Sequence, residues 1–143
     1  MKVSNATGID AGMLDGLARE YDTENLRTYI RHTRKDAETP YSGVCYYKKG
    51  RIRVSVNPRN LYPVPVRVGS PFDSGSWNHY MMRSAEELMC FVFLHELSHY
   101  LDYRNGIPVR CKQTKADLFA LRRMGFVDER VRCPITPQKP IRL

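Results

Sequence analysis

The segment from Ser84 to Gly106 constrains this chain more than any other. Residues 88–94, Leu-Met-Cys-Phe-Val-Phe-Leu, form an unbroken apolar run. It is too short for the roughly 18 residues that a membrane crossing needs. It is also too continuous for a helix with one wet face, so it demands burial on several sides. Ahead of it, Ser84-Ala85-Glu86-Glu87 matches a capping box, in which Ser and Glu side chains satisfy each other's backbone donors. Behind it, Asn105-Gly106 supplies a left-handed stop. The spacing predicts a helix over 85–104, which at 1.5 Å per residue is roughly 30 Å long. That is the width of a small domain, so the remaining chain has to wrap around this helix.

The 143 residues are enough to do so as one domain with a modest core, and 42% hydrophobic with 27% charged residues is a globular composition. Residues 10–35 read as helical: Met13, Leu14, Leu17 and Tyr21 follow one stripe, and Leu26, Tyr29 and Ile30 another. Asp22-Thr23 breaks them into two short N-terminal helices. Arg51-Ile52-Arg53-Val54-Ser55-Val56 alternates strictly and predicts a strand with Ile52, Val54 and Val56 on one face. With 44–47 before it, across Lys48-Lys49-Gly50, it makes a β-hairpin. Residues 57–80, with Pro58, Pro63, Pro65 and Pro71, read as a long irregular loop holding a short extended piece at 65–68; loops of that length tend to be functional. A last helix is expected over 115–124, stopping at Gly125 and facing Ala116, Phe119, Ala120 and Met124 inward. The expected fold is α+β: N-terminal helices, a small antiparallel sheet, a buried central helix and a C-terminal helix. The domain spans 1–133. Residues 134–143, with Pro134, Pro137 and Pro140, form an extended polyproline-like tail, suited to lying in a cleft as an internal inhibitor or to serving as a docking peptide.

The central helix carries His95-Glu96-Leu97-Ser98-His99. Two histidines four residues apart project from one helix face, one turn apart, the spacing at which two imidazoles bind one tetrahedral zinc ion. Glu96 is rotated about 100° from His95, where its carboxylate reaches water held at the metal rather than the metal itself. The pattern is that of zinc-dependent peptide hydrolysis with Glu96 as general base. A third ligand is needed. The positions three and six residues beyond His99 are Asp102 and Asn105, which excludes the extended motif that ends in a third histidine. His32 and His79 read as surface residues, and Tyr100 and Tyr103 as packing residues.

HELSHYLDY followed by QTKADLFALRRMGF resembles the minimal gluzincin-type metallopeptidases, the ImmA/IrrE-like group among them, over about residues 84–126. The resemblance implies a zincin-like fold, with an edge strand above the active-site helix onto which an extended substrate adds. It also implies a Glu as third zinc ligand and, four residues later, an Asp that orients a ligand histidine. Here Gln113 stands where that Glu would be, and Asp117 matches the Asp. Asp117 is the leading candidate for the third ligand, beside His95 and His99. The alternatives are that Asp117 orients a histidine, or that it completes a Thr114-x-x-Asp117 capping box. Cys111 is a remoter candidate. The hairpin over 44–56 is the expected edge strand.

Charge adds a second theme. The net charge is +8, and residues 39–72 contain Lys48, Lys49, Arg51, Arg53, Arg59 and Arg67 with no acidic residue. Residues 48–67 can attract nucleic acid, which makes a second function possible: a catalytically weak or inactive zincin-like protein that binds nucleic acid or a protein partner through a basic hairpin. SprT-like proteases are similarly basic, yet they generally use a downstream histidine, and none follows His99. Cys45, Cys90, Cys111 and Cys133 include no CxxC pair and read as reduced thiols. No apolar stretch follows the N-terminal Lys2 as in a secretory signal. A cytoplasmic location without membrane contact is expected, with a peptide or protein as substrate.

Overall fold

The computed structural model describes residues 1–69, 77–109 and 113–127. The fold is α+β, built from β1 (Lys2–Asn5), α1 (Met13–Ala18), β2 (Arg27–His32), β3 (Tyr41–Tyr46), β4 (Arg51–Val56), β5 (Val64–Gly69), β6 (Trp77–Met82), α2 (Ala85–Arg104) and α3 (Gln113–Arg123). Four strands form one sheet in the order β1-β2-β4-β3, with β5 and β6 paired separately. Within the larger sheet β1, β2 and β4 run parallel, and β3 lies antiparallel on the edge beside β4.

Helix α2 takes the predicted bounds and is buried along residues 88–94. It packs against β3 and β4 on one side and α3 on the other. Its start is half a capping box. Ser84 Oγ accepts the Glu87 N–H at 3.1 Å, but the Glu87 carboxylate takes the Arg83 N–H at 3.0 Å and the Arg83 guanidinium at 3.2 Å. The charge-assisted bond to Arg83 draws the carboxylate one residue outward. Its end is a Schellman motif, with Ile107 N–H donating to the Asp102 carbonyl at 2.8 Å and Gly106 at φ 71°. Helix α3 begins at Gln113, two residues before its predicted start, and buries Ala116, Leu118, Ala120 and Leu121; Phe119 and Met124 are half-buried at its margin.

Two expectations are corrected. The second N-terminal helix does not exist: α1 is short, and Leu26, Tyr29 and Ile30 belong to β2 or its entry. Leu26 and Ile30 are four apart, which fits a helix face and also a strand face of period two. Thr28 between them is fully buried, completing the strand face, and β-branched Thr28 and Ile30 pack against pleated neighbours. The sheet is therefore mixed rather than a small antiparallel one. The long loop over 57–80 likewise contains a second hairpin. Val64, Val66 and Val68 are buried, extending the expected piece at 65–68, and Tyr80 and Met82 are buried opposite. The hairpin of β3 and β4 forms as predicted, turning at Gly50, whose φ is 65°. Within it β4 is interior, and among the described residues β3 alone has an unpaired edge. Among the described residues no helix is long and apolar enough to cross a membrane. The expected tail over 134–143, Cys111 and Cys133 lie outside the described residues.

Candidate functional site

Helix α2 and the first two turns of α3 bring His95, His99, Gln113 and Asp117 together. His95 is held at both ring nitrogens, with Nδ1 2.6 Å from Asp117 Oδ1 and Nε2 2.6 Å from Gln113 Oε1. His99 Nε2 lies 3.2 Å from His95 Nε2 and 3.4 Å from Gln113 Oε1. Three atoms thus face one another in a triangle: two imidazole nitrogens and an amide oxygen. Glu96 is 7% exposed, and its Oε1 stands 3.9 Å from His95 Nε2. His95 and His99 share a face because they are one turn apart; Gln113 and Asp117 do so for the same reason.

Asp117 therefore lies on the Nδ1 side of His95, away from the triangle, where a carboxylate orients an imidazole. The oxygen that faces both Nε2 positions comes from Gln113. Among the described residues, no group of three or more His, Cys, Asp and Glu side chains is gathered for a metal ion. The third corner here is an amide.

The chemistry of this donor set suits a cation. When the His95 Nδ1 proton is donated to Asp117, Nε2 of neutral His95 is an acceptor facing a second acceptor, the Gln113 amide oxygen, and a proton or a metal between them relieves that opposition. Tetrahedral zinc with bonds of about 2.0–2.1 Å places its ligand atoms roughly 3.3 Å apart. Two edges of the triangle, 3.2 and 3.4 Å, have that length. The third, at 2.6 Å, is a hydrogen-bond length and would have to lengthen by about 0.7 Å for an ion to bind between these atoms. The residues fit zinc, with a neutral oxygen as the weakest member.

Burial and charge act on each group differently. Burial pushes His95 down, but the Asp117 hydrogen bond and charge, the Glu96 charge and the Gln113 hydrogen bond together hold it above the ordinary imidazole value. Burial and the charge of His95 push His99 below it. Burial raises Glu96 above the usual carboxylate range, against the opposing pull of His95. His99 Nδ1 is buried with no hydrogen-bond partner among the described residues.

The edge strand passes directly over this group. A Cβ at Gly43 would stand 2.7 Å from Val92 Cγ1 and 3.0 Å from both Glu96 Cγ and Oε1. Glycine is required here by close approach to the helix. Gly43→Ala is expected to destabilise the fold by about 1–3 kcal/mol through overpacking, read by urea denaturation. A variant as stable as the parent would show that β3 does not press on Glu96.

A cleft of about 910 Å³ opens along β3, lined by Val44, Cys45, Tyr47, Tyr103, Ile107 and Val109. A hollow of about 310 Å³, lined by Tyr41, Arg67, Phe91 and Asp117, continues it beyond the site. Gly43, Glu96 and Gln113 line both, so they stand midway along one groove. Burial and the Glu96 charge push the Cys45 thiol up to about 12, leaving it a neutral wall residue. The Arg67 guanidinium sits 4.1 Å over the Trp77 ring.

Tyr100 is buried in the core as expected, whereas Tyr103 is 40% exposed, stacks on Tyr47 and faces the cleft. His32 and His79 are exposed on β2 and β6. The basic residues of 48–67 do not form one surface. Arg51 and Arg53 lie on the interior strand β4, Arg59 bonds the Ala37 carbonyl at 2.8 Å, and Arg67 lines the smaller hollow. Sequence reasoning missed Gly43 and Tyr41 and read Arg67 as part of a basic patch, because only the fold places them beside α2. Searches of protein-family models, curated proteins and solved structures find no match to this chain.

Proposed function

We propose that the chain is a zinc-dependent peptidase of the zincin type, acting on an extended peptide or protein segment laid along β3. The observation that carries this reading is the triangle of His95 Nε2, His99 Nε2 and Gln113 Oε1 beside the buried Glu96 carboxylate. His95, His99 and Gln113 would hold the ion, and Asp117 orients His95 through Nδ1. When bound, zinc supplies Lewis acidity, which polarises the scissile carbonyl and lowers the pKa of water toward neutrality.

The protein's own groups account for the rest. The Glu96 carboxylate takes the proton of the attacking water and delivers it to the leaving amine nitrogen. Burial, which favours its neutral form, poises it for both transfers. The free edge of β3 aligns the substrate backbone by strand addition, with side chains entering the hollows on either side of Glu96. Cytoplasmic action belongs to the same proposal, and the unpaired thiols of Cys45 and Cys90 suit it. A second reading, a weakly active or inactive binding protein, is favoured by the neutral amide of Gln113 in place of a carboxylate.

Metal analysis of the purified protein tests the reading. A single zinc ion per chain is expected, lost in His99→Ala with the fold retained by circular dichroism. A folded parent protein that takes up no zinc at micromolar concentration would overturn it.

A further inference from the structure

The sheet has a second face, turned away from α2. Because neighbouring positions across a sheet point to the same side, the pairing of Lys2 with Arg27 and Arg27 with Arg51 sets three cations in a row across β1, β2 and β4. The next row brings Ser4, Tyr29 and Arg53 together, and the one after it Arg31 and Ser55. Tyr46 of β3 is paired with Arg51 at the margin. The outward positions of these four strands carry no acidic residue. Lys2, Arg27, Arg31 and Arg51 are exposed, and Tyr29 is half-buried among them. Among the described residues none of these cations takes part in an ion pair. Arg53 leans on the Tyr46 ring at 5.9 Å, and its Nε has no hydrogen-bond partner among the described residues.

Between the tyrosines lies a hollow of about 400 Å³, lined by Tyr29, Tyr46, Lys49, Arg51 and Arg53. Two aromatic walls with guanidinium and ammonium groups around them offer stacking for a flat ring and cations for the phosphates beside it. An open four-stranded sheet face suits a splayed single strand better than a duplex, whose base edges lie in grooves that no element among the described residues stands out from this face to enter. An acidic peptide would satisfy the charge but leave the tyrosine-walled hollow unused.

We propose that the outer face of the four-stranded sheet, centred on Arg51, Arg53, Tyr29 and Tyr46, binds single-stranded nucleic acid by phosphate pairing and base stacking. The surface is on the sheet side opposite α2, so it is independent of the peptidase reading. It also relocates the basic character of the hairpin. Arg59 and Arg67 take no part, whereas Lys2, Arg27 and Arg31, distant in sequence, do.

Fluorescence anisotropy with a labelled single-stranded oligonucleotide of about a dozen nucleotides, titrated at several salt concentrations, tests this. Binding is expected with a log–log salt slope of about −3, the value for four to five neutralised phosphates. Arg51→Ser should weaken binding and flatten the slope by about 0.7, while Arg51→Lys keeps the slope. Tyr29→Ala should weaken binding roughly 5- to 100-fold with the slope unchanged, the loss typical of one stacked base. Glu96→Gln should bind like the parent. The proposal is overturned by no binding at about 50 mM salt, by binding indifferent to Arg51→Ser and Tyr29→Ala, or by a duplex of the same sequence or anionic-lipid vesicles being bound more tightly than the single strand.

Discussion

Glu96→Gln is expected to leave zinc bound and to lower peptide cleavage on the order of 100- to 10,000-fold, the range over which a positioned general acid–base acts. The two side chains are nearly the same size, so the tight packing against β3 at Gly43 is preserved. Glu96 Oε1 is 3.9 Å from His95 Nε2, beyond hydrogen-bond reach, so its loss does not unseat the histidine. What disappears is a group able to take and return a proton. The effect should therefore fall on kcat with KM little changed, as for an interaction made only in the transition state. Zinc content and cleavage of an unstructured protein substrate are measured on the same preparation. A variant that retains activity within a few fold would remove Glu96 from the reaction; one that loses zinc would show that it holds the metal site together.

The helix that carries Glu96 was readable to the residue, because its signals are local: a capping serine, an apolar run and a glycine stop all lie within one segment. β4 was readable for the same reason, its alternation being strict over six residues. β2 was not, since Leu26 and Ile30 satisfy both periods and only pairing with β1 and β4 decides between them. The outer basic face was invisible as a consequence, with half its cations on strands read as helix or not read at all. β5 was legible only in part, as an extended piece at 65–68, because Pro58, Pro63, Pro65 and Pro71 mark the region as a loop; yet Pro65 sits exposed within β5, whose partner among the described residues is β6. At the site, His95, Glu96 and His99 were legible from spacing alone. Whether Gln113 or Asp117 faces the histidine nitrogens depends on where α3 begins and how it docks on α2, which no spacing rule contains.

That docking makes a second prediction with a large effect. Gln113→Ala is expected to weaken zinc binding by at least about tenfold, because it removes one of the three proposed protein ligands, and Gln113→Glu to strengthen it by at least as much. An anionic oxygen at ligand distance from a dication gains far more Coulomb energy than a neutral amide does, even after its desolvation. Asp117→Asn should cost roughly 10- to 100-fold in affinity while a single zinc ion per chain still binds at saturation, the signature of a group that orients a ligand. The 2.6 Å contact between Asp117 and His95 Nδ1 motivates that ordering. Competition titrations with a chelator measure all three variants on one scale. The opposite ranking, with Gln113→Ala like the parent and Asp117→Asn devoid of zinc, would make Asp117 the ligand and require α3 to turn about its axis on binding. If Gln113→Glu tightens the metal as expected, the natural glutamine leaves the site with its full double positive charge. A less neutralised metal is the stronger Lewis acid, so a weakly held zinc ion and an active one are compatible in this chain.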